Sequence, residues 1–183
     1  MTEKTLMDDL EQVRYPVGRL SAVRPPASPR ERLAMIDALA GAPAVFRALV
    51  AGVTDRQLDT PYRPGGWTVR QVIHHVPDSH LNAYIRMKLA LTEDTPPARP
   101  YYEDRWAELP EARTAPVAMS LDLLDGLHRR WVAFLRALPE ADFQKAFTHP
   151  EWGIVTLDRS LAMYEWHCRH HAAHVRLGLA AAR

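Results

Sequence analysis

Four of the chain's nine histidines lie in the segment WHCRHHAAH, residues 166–174. Histidine at that density points to metal ligation, because neutral imidazole is a common ligand for divalent ions. Each helical residue turns by about 100°, so His167, His171 and His174 share a stripe about 60° wide. The i, i+4 pair His167 and His171 sets two imidazoles side by side, which lets one helix donate two ligands to a single ion. A catalytic site of this type needs a third ligand from elsewhere and one open position. The segment HHVPDSH, residues 74–80, offers it. Measured from the apolar stripe Val69, Val72, Ile73 and Val76, His75 lies about 100° away and His74 about 150° away. That favours His75 at the edge of a helical core, although Pro77 blurs the phase. Three imidazoles without a thiolate suit zinc best, with nickel, iron or manganese as alternatives.

The remaining polar residues have blander readings. His74, His80 and His170 are taken as surface or supporting groups, His149 as a cap or pocket residue, and His128, between leucine and two arginines, as solvated. Cys168, about 100° from His167, is a small buried residue rather than a ligand. Glu165, about 160° from His167, is out of reach as a general base. Asp78, about 60° from His75, either orients an imidazole or is solvated. Arg70, Arg86 and Arg99 are read as surface charges, with pairing to a substrate carboxylate as the alternative.

Helices must hold these residues. Ser28-Pro29-Arg30-Glu31 is a strong helix start, with Ser28 as cap and Pro29 in the first turn. The helix is expected to run to about Val53, kinked or broken near Gly41 and Pro43. After a Pro- and Gly-rich loop over 58–66, Thr68 and Gln71 form a capping box for a helix that bends at Pro77 and ends near Thr92. Residues 93–116 form a long Pro-rich connection and the expected wall of a substrate pocket. Leu121, Leu124, Leu127, Trp131, Phe134 and Leu138 mark a third helix. Residues 139–155 connect it to the last, capped by Thr156 and spanning about Leu157 to Ala182. The expectation is an all-α, up-down four-helix bundle over 28–183, with residues 1–27 as an extended arm packed on it.

Composition narrows the setting. The 183 residues suffice for one domain, and a formal charge of +1 argues against nucleic acid as a partner. No apolar run approaches the roughly 20 residues that span a bilayer. One cysteine and a polar N-terminus place the chain in the cytoplasm by expectation.

The run LDTPYRPGGWTVRQVIHHVPDSHLNAYIRMKLALTE, with YPVGR upstream and YEWHCRHHAAH near the end, resembles the YfiT branch of the DinB-like superfamily. The shorter pieces RPY (99–101), HRRW (128–131) and HP (149–150) fit as well. The resemblance covers nearly the whole chain. It implies a four-helix bundle with metal ligands at His75, His167 and His171, and with His174 beside them where many relatives carry Gln. Pro77 and Arg169 depart from the branch, which has Ala and His there, without removing a ligand. The resemblance also implies a cytoplasmic homodimer with one divalent ion per chain acting on a small molecule. Two chemistries are implied: hydrolysis, or S-transfer with a low-molecular-weight thiol such as bacillithiol. A non-catalytic metal-binding module with a stress or sensor role is the rival reading.

Overall fold

The computed structural model describes residues 10–182; residues 1–9 of the expected arm lie outside them. Four long helices build the body: α1 (Pro29–Leu49), α3 (Val69–Thr92), α6 (Val117–Arg136) and α7 (Leu157–Ala181). Short helices α2 (Asp55–Leu58), α4 (Glu103–Ala107) and α5 (Pro110–Thr114) interrupt the connections. The capping residues act as their types require. Ser28 Oγ accepts from the Glu31 amide, Thr68 and Gln71 close a reciprocal box, and Thr156 Oγ1 accepts from the Arg159 amide. Helix α1 runs unbroken through Gly41 and Pro43, where a kink or a break was expected. Pro43 is buried in its packing face, so tertiary contacts hold the helix despite the lost hydrogen bond.

The four-helix bundle is as expected, but its helix directions do not simply alternate. Arg32 of α1 meets Asp158 of α7, so these two helices start together and run parallel. His74 meets Ser120 and His80 meets His128, so α3 and α6 are also parallel. Ser79 meets Tyr164 and His75 meets His167, so α3 and α7 are antiparallel. The order is therefore up, down, down, up, with α1 and α3 at opposite corners, each packed on α6 and α7. The 93–116 connection makes this possible. It returns along the full length of α3, which rises about 1.5 Å per residue, and its helices α4 and α5 pack on α3 on the way. At the far end α3 and α7 approach so closely that a Cβ on Gly178 would sit 2.5 Å from a Val69 methyl.

The second long connection holds a hairpin that the sequence reading lacked. β1 (Ala146–His149) pairs antiparallel with β2 (Gly153–Thr156), with His149 opposite Gly153. Thr148 also exchanges backbone hydrogen bonds with Pro96 and Ala98, which ties the hairpin to the returning segment. The arm expected to be extended is helical over residues 10–14 and makes a 3-10 turn at Leu20–Ala22; it lies along α7, where Trp166 Nε1 donates to the Gly18 carbonyl at 3.1 Å.

The apolar core divides along the bundle axis. One cluster contains Leu39, Met87, Trp131 and Leu161, and the other contains Phe46, Val72, Leu124 and Val175. Between them in sequence, on α3, α6 and α7, stand His75, His80, His128 and His171, all buried, and His167, half-buried. No helix among the described residues is long and apolar enough to cross a membrane.

Candidate metal centre

His75 on α3 and His167 and His171 on α7 converge, each offering a nitrogen, with all three nitrogens within 4.8 Å of one another. The Nε2 atoms of His75 and His167 are 3.3 Å apart. Two nitrogens bound at about 2.0–2.1 Å to a tetrahedral ion are separated by about 3.3–3.4 Å, so this pair already has the spacing of coligands. Trp67 packs against the His75 ring at a centroid distance of 4.7 Å.

Burial keeps the donors neutral. His75 is pushed down to about 4, first by burial and then by the nearby His174. His167 and His171 are held well below the ordinary histidine value, again chiefly by burial and then by a neighbouring imidazole. A neutral imidazole has one N–H and one lone pair, so the protein must also place the lone pair.

Two hydrogen-bond chains do this, each ending on a backbone carbonyl. The Leu39 carbonyl can only accept, so His128 Nδ1 donates to it at 2.7 Å. His128 Nε2 then accepts from His80 Nδ1 at 2.7 Å, and His80 Nε2 accepts from His167 Nδ1 at 3.0 Å. The lone pair of His167 is left on Nε2, facing His75. In the second chain His174 Nε2 donates to the Arg14 carbonyl at 3.3 Å, and its Nδ1 accepts from His171 Nδ1 at 3.4 Å. The lone pair of His171 is thereby also left on Nε2. Tyr62 stacks on the His174 ring at 4.0 Å and so supports the outer link of that second chain.

Several residues stand elsewhere than the sequence placed them. His128 is 1% exposed, not solvated. It sits on the Leu124 and Trp131 side of its helix, and that periodicity outranks the arginines beside it in sequence. His80 is fully buried as the central link of the first chain. His74 is buried but remote from the three nitrogens, bonded to Ser120 Oγ and the Ala115 carbonyl. His170 is buried, stacked on Trp166 at 4.3 Å, and among the described residues its Nδ1 has no partner. Asp78 bonds to no histidine. Glu165 is engaged by Arg169, and Cys168 is buried with its thiol pushed up by burial.

The three nitrogens open onto a cavity of about 290 Å³ between α3, α7, the returning segment and the hairpin. Tyr101, Tyr164, Arg86 and His149 also line it. Its carboxylates, Glu103 and Glu151, belong to exposed residues.

The chain belongs to the DinB superfamily, whose family model matches residues 38–175. YfiT of Bacillus subtilis, a candidate metal-dependent hydrolase by name, is 49% identical over 162 residues, covering 88% of this chain and 90% of that protein. A similarly named protein of Bacillus mycoides is 46% identical over 168 residues, covering 91% and 95%. The solved structure of Bacillus subtilis YfiT, described as having an unusual four-helix bundle topology, superposes with a TM-score of 0.88. That match covers 93% of this chain and 97% of the other, at 46% identity.

Proposed function

We propose that the chain is a metal-dependent enzyme acting on a small molecule, with His75, His167 and His171 as the ligands of one divalent ion. The observation that carries this reading is the convergence of three neutral imidazole nitrogens on a cavity, two of them with their lone pairs fixed by carbonyl-terminated chains. The donor set suits zinc, with nickel, iron or manganese as alternatives. Bound there, the ion would supply Lewis acidity at an open position, lowering the pKa of a thiol or of water.

Thiol S-transfer is the leading chemistry, with a low-molecular-weight thiol of the bacillithiol type as cosubstrate. The carboxylates that line the cavity belong to exposed residues, and Glu165 is committed to Arg169, so among the described residues no buried carboxylate lines the cavity as a general base. A thiol, with an ordinary pKa of about 8.5, needs less help in losing its proton than water does. In the transfer a sulfur–carbon bond forms, the leaving group departs with its electron pair, and the thiol proton passes to solvent. Hydrolysis is the second reading, and the names of the similar Bacillus proteins favour it. The cytoplasmic setting and homodimeric state rest on family likeness.

The test is purified protein assayed with a panel of thiols including bacillithiol and a halide electrophile, beside matched esters and amides. Thiol-dependent turnover should vanish on chelation and return with zinc. His171→Ala should lose most of the roughly one ion per chain, because two imidazoles hold metal poorly. Stoichiometric metal in the triple His75, His167 and His171 alanine variant would sink the site. Metal-dependent ester or amide hydrolysis without thiol turnover would reverse the order of the two chemistries. Thiol binding without turnover of any substrate would leave a binding module.

A further inference from the structure

Of the three arginines singled out in the sequence, the structure separates one. Arg99 is exposed. Arg70 is buried, but its guanidinium is closed by Asp55, Asp59 and the Ala115 carbonyl. Arg86 is 8% exposed, and among the described residues no carboxylate lies within ion-pairing distance. Its one hydrogen bond runs from Nη2 to the Arg99 carbonyl at 2.8 Å. That contact fixes the fork and, among the described residues, leaves Nε and Nη1 without a protein partner. A guanidinium this buried, with open donors on a cavity and no counter-charge beside it, is a ready site for an anion.

The position of Arg86 says where that anion belongs. His75, Ser79 and Arg86 are spaced i, i+4 and i+11, so they share one face of α3 within about 40°. Arg86 therefore lines the same cavity as the three imidazoles, about 16 Å along the helix from His75 at the backbone. Helical side chains lean toward the N-terminus, which brings the guanidinium back toward the cluster. His149 lines the cavity too, 6% exposed and stacked on Trp152 at 4.1 Å. Its Nδ1 accepts from the Glu151 amide at 3.3 Å, so neutral His149 carries its proton on Nε2 as a donor. Glu103 and Glu151, the acidic residues lining the cavity, are solvent-exposed and so screened.

We propose that this end of the cavity is a subsite for the carboxylate or phosphate group of an elongated small molecule, with Arg86 as its principal donor and His149 as its second. The other end of that molecule lies at the three histidines, so this part of the assignment rests on the metal reading above. The planar fork of arginine suits both kinds of anion, and a cavity of about 290 Å³ is of the size that takes a small molecule.

The experiment uses cobalt-loaded protein and a series of ω-mercaptocarboxylates of increasing length, each beside its neutral ω-mercaptoalcohol and that alcohol's phosphate monoester. The sulfur-to-cobalt absorption band reports the thiol end, and calorimetry gives the affinity. At one preferred length an anionic probe should bind about tenfold or more tightly than the alcohol, the scale of one charge-assisted contact. The carboxylate and phosphate arms identify which group the subsite takes. Arg86→Gln should abolish the preference while leaving the alcohol's affinity unchanged, which also shows that the variant is folded. Arg86→Lys should retain part of it. Equal affinities in the unaltered protein, or a preference that survives Arg86→Gln, would overturn the subsite. A separate arm titrates metal-free protein with hexanoate, read by tryptophan fluorescence. Arg86-dependent binding there, with no cobalt band from any thiol, would remove the metal reading and leave the subsite standing.

Discussion

Two faces of α3 carry the same kinds of residue at the same depth and leave them in opposite states. Arg70, Gln71 and His74 face the returning segment and the start of α6; His75, Ser79 and Arg86 face the cavity, about 110° around the helix. Every polar side chain of the first group ends on a partner within the fold. Arg70 closes on two aspartates, Gln71 donates to the Ala107 carbonyl at 2.7 Å, and His74 uses both ring nitrogens. The second group leaves atoms open: a ring nitrogen on His75 that faces the other two imidazoles, and most of a guanidinium on Arg86. Burial alone does not distinguish the faces, since Arg70 is 4% and Arg86 8% exposed. What separates a structural polar group from a functional one here is whether its hydrogen-bonding capacity is filled.

The comparison predicts opposite outcomes for the same substitution. Arg70→Met should cost roughly 2 kcal/mol, because it removes a buried three-way network that pins α2 and the start of α6 to α3. For a chain of this size that is a fall in Tm of about 4–8 °C. Arg86→Met should leave Tm unchanged or raise it by a degree or two, because it removes a mostly buried cation that, among the described residues, has no counter-charge and one hydrogen bond. Comparable losses in both variants, measured by thermal melts of metal-free protein, would erase the distinction between the faces.

A second prediction extends the rule to the histidines. His128→Phe keeps the ring volume but removes both nitrogens of the middle of the first chain. His80 then loses the acceptor that orders its proton, and the His167 lone pair is no longer held on Nε2. Zinc affinity should fall about 10–100-fold by chelator competition, the usual cost of losing an outer partner of a ligand. In long-range ¹⁵N NMR, His167 should change from one tautomer to a mixture. Unchanged affinity with a single His167 tautomer would reduce His128 to packing.

How much of this was legible follows from how local each signal is. Ser28, Thr68 and Thr156 announce their helices because a cap acts within one turn. The short strands were missed because four residues carry almost no period, and their pairing depends on the turn at Gly153, with φ of +65°. Helix direction was not legible, since a 24-residue connection can return along a helix or turn beside its end. The spacing of His128 from Leu124 and Trp131 was available and outweighs its charged neighbours. Nothing in the sequence could tell Arg86 from Arg70, because the difference lies in partners brought from Asp55, Asp59 and Ala115.

The smallest predicted effect falls on an exception to the comparison. Asp78 lies on the closed face of α3, yet among the described residues its carboxylate has no hydrogen bond or ion pair. Burial first, and the charge of Glu111 second, raise it from 3.8 to about 6. A raised carboxyl pKa means that folding disfavours the ionised form. The penalty is absent below 3.8, grows as pH rises, and is complete above about 6. Asp78→Asn should therefore stabilise the protein at pH 7.5, by about 1 kcal/mol or less because the group is half-exposed and screened. At pH 5 the gain should shrink, since the folded-state carboxyl is by then largely protonated. Urea unfolding of both proteins at the two pH values measures it. An equal gain at both would assign the effect to packing, and a loss at pH 7.5 would show that the ionised carboxylate has a partner after all.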